Sequence, residues 1–403
     1  MIGLDNNNTG KILFIIFMFA LSLRLLAVFT QSDPKKILYA DAKAYDNIAV
    51  NIMSGYGFSL VPDGSPIPTT QRTPMYPLFL AGIYIIFGHN YVAVKIIQAI
   101  LGALSCIIIF YITNITYRNK MVAIIASLIT ALYVPFIRGF NYYGGPALLL
   151  SEYFYIFMLG MAILTTLIFV RDGKKWSGML SGICIGFTVL TRPEFIVFPL
   201  LLIGYLFYIS KLSVKRTVYK YFIMYFFMLM ILLPWTIRNY IVQKKFIPLT
   251  TLNGLVFWLG NNSLANGGWA YPENYAATTK QVENLCEYEQ NKVFLETGIK
   301  EIKKNPQRMP KLLIKKILVH WAPFEKKFEI FNPYYAILLL LSSIRIFFLK
   351  RLNIFENVLM IIFLATTITA VLTWGEPRYR YPYEYFLIVF AAFSLNKIFK
   401  IYL

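Results

Sequence analysis

Acidic and guanidinium side chains in this sequence gather beside apolar runs. Arg24 lies within the first run and Asp41 follows in the segment after it. Glu152 opens a later run, Arg192 and Glu194 sit in TRPE at 191 to 194, and Arg238 with Asn239 ends PWTIRNY. GEPRYRYPYE at 375 to 384 adds Glu376, Arg378, Tyr379, Arg380 and Glu384. Charge near an apolar span is expensive, and its default reading is functional. A carboxylate can accept a hydroxyl proton as general base, and arginines can bind and neutralise phosphate. Together they suit transfer from a lipid-linked phosphate donor to a hydroxyl. No general acid is needed, because phosphate leaves as a stable anion, unlike the sugar alkoxide of glycoside hydrolysis.

The elements that must position these groups are membrane helices. Of 403 residues, 58% are hydrophobic and only 14% charged, and mean hydropathy is +0.59, which excludes an ordinary soluble enzyme. A span needs about 20 apolar residues. The sequence predicts an all-α polytopic membrane protein with about ten spans: 11 to 29, 92 to 113, 121 to 138, 147 to 170, 177 to 190, 195 to 209, 219 to 237, 333 to 349, 355 to 374 and 383 to 399. Lys+Arg 39 against Asp+Glu 19 gives a net charge of +20, which the positive-inside rule explains without a nucleic-acid partner. The first run has no small-residue cleavage site and reads as a retained helix. Three cysteines and two histidines, His89 and His320, make no disulfide framework or zinc signature. No cofactor is specified, and a divalent cation stays open.

Charge also orients the chain. Lys174 and Lys175 before the TRPE hairpin, and Lys211, Lys215 and Arg216 after it, belong on one cytoplasmic side, so TRPE is an outer turn. Lys11, Arg118, Lys120, Lys350, Arg351, Lys397 and Lys400 fall inside by the same logic, and Asp172 and Glu356 are the only cytoplasmic acids apart from Asp5. Two long loops, 30 to 75 and 238 to 331, fall outside. The expected organisation is a catalytic membrane module over 1–237, an extracytoplasmic loop domain over 238–331, and C-terminal membrane helices over 332–403. Both long loops should carry short interfacial helices. Residues 74 to 88 read as a short interfacial or re-entrant piece, and 282 to 304 as a helix stopped at Asn305-Pro306. In the stretch that follows, Leu312, Leu313, Ile317, Leu318 and Trp321 recur opposite Lys311, Lys315 and Lys316, as in a helix lying on a leaflet.

Seven motifs in order resemble the GT-C superfamily of integral-membrane glycosyltransferases, especially the branch of protein O-mannosyltransferases and lipid A aminoarabinose transferases. They are LSLRLL, YADAKAYDNIAVNIMSGYGFS, QRTPMYPLFLAGIYIIFGHN with AVKIIQAILGAL, LLLSEYFYIFML, VLTRPEFIVFPLLL, PWTIRNYIVQKKFIPLTTLNG with WLGNNSLANGG, and GEPRYRYPYEYFLIVFAAF. The resemblance implies a GT-C-like helix arrangement and a polyprenyl-phosphate sugar donor. It also implies an outward-facing site in the cell membrane, with Asp41 as base and Glu152 as a second carboxylate. The mannosyltransferases' Asp-Glu pair is Asp41-Ala42 here. Asp46, on the same segment, is the competing choice of base.

Arg238, Arg378 and Arg380 are candidate ligands of the donor phosphate, with Arg238 and Arg378 alternatively anchors that snorkel to headgroups. Arg72, Arg192, Glu194, Asn239, Asn261, Glu376 and Tyr379 are candidate substrate-binding or supporting groups. Arg192 and Glu194 could equally satisfy each other, and GNN at 260 to 262 could be a turn alone. The expected activity is an inverting single displacement onto a hydroxyl of a lipid, glycan or protein. The rival class is a transporter or flippase of a lipid-linked or anionic substrate. Charges at one surface rather than the midplane, and the lack of an internal repeat, weigh against it.

Overall fold

In the computed structural model, residues 6–30, 41–60, 65–139, 146–210, 214–325, 329–349 and 351–402 are described. Asp5, Lys211 and Lys350 lie outside that set, as do the side chains of Lys215, Arg216 and Lys400. The described helices are, in order, α1 (Asn6–Thr30), α2 (Asp41–Met53), α3 (Met75–Phe87), α4 (Tyr91–Tyr117), α5 (Lys120–Leu132), α6 (Val134–Arg138), α7 (Glu152–Asp172), α8 (Lys175–Thr191) and α9 (Val197–Ile209). They continue as α10 (Val214–Gln243), α11 (Asn253–Asn261), α12 (Tyr275–Val282), α13 (Glu287–Lys304), α14 (Met309–Trp321), α15 (Pro333–Ser343), α16 (Ile354–Leu372) and α17 (Pro377–Tyr402). Sheet among the described residues is confined to two-residue antiparallel ribbons, Ser59–Leu60 with Ile67–Pro68 and Phe324–Glu325 with Ile330–Phe331.

Every apolar run of the sequence falls on a helix. Five are long and apolar enough to cross a membrane by length and composition: Asn8–Thr30, Tyr91–Tyr117, Glu152–Asp172, Tyr221–Gln243 and Ile354–Leu372. Met75–Phe87, Lys120–Leu132, Pro193–Ile209 and Pro333–Phe348 are shorter apolar helices. The run predicted over 121 to 138 breaks at Tyr133, because Pro135 two residues on cannot donate to a continuing helix. The last run starts earlier than expected, at Pro377, so Arg378, Arg380 and Glu384 belong to the opening turns of α17.

Close helix packing follows from small residues. Gly178, Gly182 and Gly186 form one stripe of α8, and α10 approaches so near that a Cβ at Gly182 would overlap the Met224 carbonyl. Outside the helical bundle, Trp258, Val282 and Phe294 make a small core joining α11, α12 and α13. Helix α13 ends where Asn305-Pro306 predicts, but begins at Glu287 rather than 282. Helix α14 corrects one part of the amphipathic reading: Lys316 is buried, with Leu312, Val319 and His320, whereas Ile314, Ile317 and Leu318 are exposed. Lys316 turns inward because its ammonium finds carbonyl partners, the Asn261 side chain at 2.8 Å and the Val371 backbone at 2.9 Å.

Helix α2 is anchored by Asp46, not Asp41. Tyr84 donates to Asp46 Oδ1 at 2.6 Å, Tyr91 donates to Oδ2 at 3.1 Å, and His89 Nε2 lies 2.9 Å from Oδ1. The consequence is that Asp46 is fully occupied while Asp41, at the start of the same helix, faces elsewhere.

Candidate active site

Asp41 is the first residue of α2 and Glu152 the first of α7, both at helix starts where the macrodipole favours negative charge. Arg192 directly follows α8 in extended conformation, held by the turn into Pro193. Arg378 is the second residue of α17. Four helix ends far apart in sequence therefore deliver four charges to one place.

Their contacts are direct. Arg378 bridges the two carboxylates, with Nη1 2.9 Å from Asp41 Oδ2 and Nε 2.5 Å from Glu152 Oε1. Arg72 Nη2 meets the other Asp41 oxygen at 2.8 Å. Arg192 Nη2 lies 3.2 Å from Glu152 Oε1, and its Nη1 is 3.7 Å from Glu194. Ring faces complete the setting, with Arg72 over Tyr45 and Arg192 between Tyr155 and Tyr379. Glu152 is buried at 1% side-chain exposure, whereas Asp41 retains 27%, so Asp41 is the carboxylate a substrate can reach. Burial pushes the Asp41 carboxyl up, but Arg72 and Arg378 outweigh it and hold the group below the ordinary aspartate range.

Arg72 is set by a pinned segment rather than a helix. Thr69 and Thr70 donate their hydroxyls, and Thr70 its backbone N–H, to Glu287 at 2.6 Å each. Thr251 N–H donates to the Thr70 carbonyl at 3.1 Å. Arg238 secures the same strip from the other side, donating to the carbonyls of Phe58 and Thr69 and stacking on Phe58 and Trp235.

That arrangement takes Arg238 away from the role of phosphate ligand expected for it. Arg380 is likewise committed elsewhere: it donates to Glu384, Glu325 and the carbonyls of His320 and Ala322. Asn239 donates to the Ile247 and Leu249 carbonyls, Asn261 to that of Leu372, and Glu376 accepts from Trp374. Asp41, Glu152, Arg72, Arg192, Glu194, Arg378 and Tyr379 are the expected residues brought together. Arg24, in the first span, is buried apart from them, donating to the Ala20 and Thr130 carbonyls.

Beside Asp41 opens a cavity of about 300 Å³. Its lining includes Asp41, Arg72, Arg192, Glu194 and Tyr379, together with residues the sequence reading missed: Tyr45, Gln71, His320, Thr366 and Thr369 of α16, and Thr373 just past its end. The threonines did leave a signal, a polar stripe at helical spacing in LATTITAVLT. Of the oxygens of Asp41 and Glu152, Glu152 Oε2 alone is buried without a hydrogen-bond partner among the described residues, so these donors commit to no divalent cation. Both central carboxylates already face guanidiniums, Arg378 spans the gap between them, and no metal-suited group of three or more His, Cys, Asp or Glu occurs among the described residues.

Residues 71–237 match the family model described as dolichyl-phosphate-mannose-protein mannosyltransferase. Similar solved structures include the Archaeoglobus fulgidus oligosaccharyltransferase AglB with an inhibitory peptide and a dolichol-phosphate (TM-score 0.61, 16% identity, 98% of this chain and 50% of that one). The same enzyme in complex with Zn and sulfate gives a TM-score of 0.57 at 17% identity, over 97% of this chain and 49% of that one. ArnT from Cupriavidus metallidurans bound to undecaprenyl phosphate gives 0.53 at 12% identity, over 96% of this chain and 59% of that one. The fold is that of the GT-C membrane glycosyltransferases. The chain spans about half the length of the archaeal enzyme. A search of curated proteins gave no match. The matched family segment contains Arg72, Glu152 and Arg192 but neither Asp41 nor Arg378, so the last two are candidates on geometry alone.

Proposed function

We propose that the chain transfers a sugar from a polyprenyl-phosphate donor to a hydroxyl acceptor by a single inverting displacement, at the extracytoplasmic face of the cell membrane. The observation that carries this reading is Asp41 held between Arg72 and Arg378 at the mouth of a cavity, with Arg378 also on Glu152. The acceptor oxygen attacks the anomeric carbon, its proton passes to Asp41, the bond to the phosphate oxygen breaks, and the lipid phosphate leaves with both electrons of that bond. Arg192 Nη1 and Arg378 Nη2 are buried without a hydrogen-bond partner among the described residues. Guanidinium donors left without a partner suit phosphate oxygens, so these arginines, with Arg72, take the role first considered for Arg238 and Arg380. Glu152 holds both guanidiniums in place.

The dolichol-phosphate and undecaprenyl phosphate complexes of the two structural relatives support a lipid-phosphate donor. Charges at helix ends rather than mid-span fit an interfacial reaction better than transport. The test is consumption of synthetic polyprenyl-phosphate sugars by the purified protein in lipid nanodiscs, with release of polyprenyl phosphate followed by mass spectrometry. Facilitated passage of the donor across vesicles without any transfer would favour the transporter instead.

A further inference from the structure

Glu287, the first residue of α13, is a half-buried carboxylate that lies outside the cavity lining and outside the segment the family model matches. It is placed firmly. The positive end of α13 favours a carboxylate there. One turn further on, Asn291 Oδ1 accepts from the Gly254 N–H at 2.6 Å, and α11 comes so close that a Cβ at Gly254 would overlap the Asn291 carbonyl. The ring of Phe294 stacks on Trp258 in the next turn. Residues 287, 291 and 294 recur at helical spacing, so the face of α13 that packs on α11 also carries Glu287.

What this carboxylate meets is the strip before Arg72, about 217 residues earlier in the chain. Thr69 donates its hydroxyl to Oε1, and Thr70 donates both its N–H and its hydroxyl to Oε2, each at 2.6 Å. Gln243 and Thr251 approach Oε2 at 3.4 Å, and Arg238 is the cation that faces the group. Short hydrogen bonds to a charged acceptor are the strong kind. The rest of the strip is tied on both sides of Arg72. Thr250 donates to the Gln71 carbonyl at 2.7 Å, and Thr73 to that of Thr191 at 3.0 Å.

The Arg72 side chain itself has little to hold it. It meets Asp41 at 2.8 Å and the Tyr45 ring, and keeps 23% exposure. The backbone beneath it therefore decides where its guanidinium reaches. Asp41 is faced by Arg72 from this strip, Arg378 from α17, Arg192 from the end of α8 and Tyr45 from its own helix. A shift of the strip withdraws one of those cations, and misplacement of a site group by about 1 Å can cost about 10²-fold in rate.

We infer that Glu287 is a positioning residue of the active site: through Thr69 and Thr70 it sets the backbone that holds Arg72 against Asp41. This rests on the glycosyl-transfer reading above. Helices α11 and α13, outside the helical bundle, thereby govern a group inside the cavity.

The experiment uses the full chain in nanodiscs and reads two quantities, affinity for bare polyprenyl phosphate and the acid limb of the pH–rate profile. Glu287→Gln keeps the shape but offers one acceptor oxygen in place of two. It should weaken polyprenyl-phosphate binding about three- to tenfold, the range of one hydrogen bond, and move the acid limb to higher pH, the direction of Arg72→Gln, because Asp41 is no longer held as low. In an Arg72→Gln background the same substitution should change affinity less than about twofold and leave the limb in place, since effects that run through one shared group do not add. Thr70→Val removes one of the three short bonds and should move both quantities the same way by less; it decides the outcome if Glu287→Gln does not fold. Glu289→Gln, exposed in the same turn, should change neither. Variants that only lower the melting temperature, or that act equally with and without Arg72, would overturn the assignment and leave glycosyl transfer standing. The expected affinity pattern without any sugar transfer would keep the hold of Glu287 on Arg72 and sink the transfer reading. Absence of both binding and transfer in the wild type would sink the two together.

Discussion

Replacing Asp41 by Asn separates catalysis from architecture, and the site's exposures say why. Asp41 keeps 27% of its side-chain surface and Arg72 keeps 23%. When the aspartate charge is removed, Arg378 still holds Glu152 and Arg72 stays partly solvated over Tyr45. Loss of such partly exposed pairs costs about 1 kcal/mol or less. Glu152 is different, because at 1% exposure it faces both Arg378 and Arg192. Glu152→Gln leaves Arg378 with Asp41 alone and Arg192 with Glu194 alone, at 3.7 Å, a loss of up to about 3 to 5 kcal/mol against a total stability of about 5 to 15 kcal/mol. Asp41→Asn should thus fold and bind donor normally while losing about 10² to 10⁴ in turnover, the usual worth of a general base. Glu152→Gln should chiefly lose folded yield. The assay is single-turnover transfer in nanodiscs, corrected for the folded fraction by size exclusion in detergent, with donor affinity measured alongside. Near-normal turnover in Asp41→Asn would refute the mechanism. A well-folded Glu152→Gln with the larger loss of turnover would transfer the base to Glu152.

Arg72→Gln removes one of the two guanidiniums that hold the Asp41 carboxyl low, so the acid limb of the pH–rate profile should move to higher pH; an unmoved limb would mean that Asp41 does not govern it. Arg378→Lys should weaken donor affinity, since an ammonium cannot span Asp41 and Glu152 while donating to phosphate, whereas Arg238→Lys should lower the melting temperature more than it changes donor affinity; the reverse pattern would restore Arg238 as the phosphate ligand. Membrane-impermeant cysteine reagents applied from outside should modify Ser65→Cys and spare Lys174→Cys, and labelling of the latter alone would turn the site to the cytoplasm.

What the sequence made legible was the presence and location of polar groups, and what it hid was their direction. Arg378 and Arg380 stand two residues apart in RYR and looked equivalent. On a helix, two residues turn the side chain through about 200°. One therefore reaches Asp41 and Glu152 while the other enters the Glu325 and Glu384 network. The same geometry separates Asp41 from Asp46 on α2 and carries Lys316 inward although Lys315 stays out. Arg238 was hard to read for another reason: its partners are the carbonyls of Phe58 and Thr69, about 170 to 180 residues earlier in the chain, and no local pattern announces such a contact. The helices themselves were readable because apolar runs of the right length have few alternatives near lipid.

The depressed Asp41 carboxyl raises an apparent difficulty, since a carboxylate stabilised by two arginines is a weak base. Charge balance answers it. The cluster of described residues sets three guanidiniums, Arg72, Arg192 and Arg378, against three carboxylates, Asp41, Glu152 and Glu194. A lipid-phosphate sugar carries one negative charge before transfer, and the departing phosphate gains a second as the bond to carbon breaks. In the proposed reaction the proton from the acceptor neutralises Asp41 in the same step. The net charge within the site is thus unchanged, and negative charge moves from Asp41 to the phosphate. Arg378 and Arg72 can follow that movement, loosening from Asp41 as they tighten on the phosphate, so their donors are strongest where charge develops. Under the proposed mechanism, the arginines that weaken Asp41 at rest are the groups that make its protonation favourable in the transition state. A base without them would hold its proton more readily in the resting enzyme, but it would leave the new phosphate charge without the donors Asp41 releases.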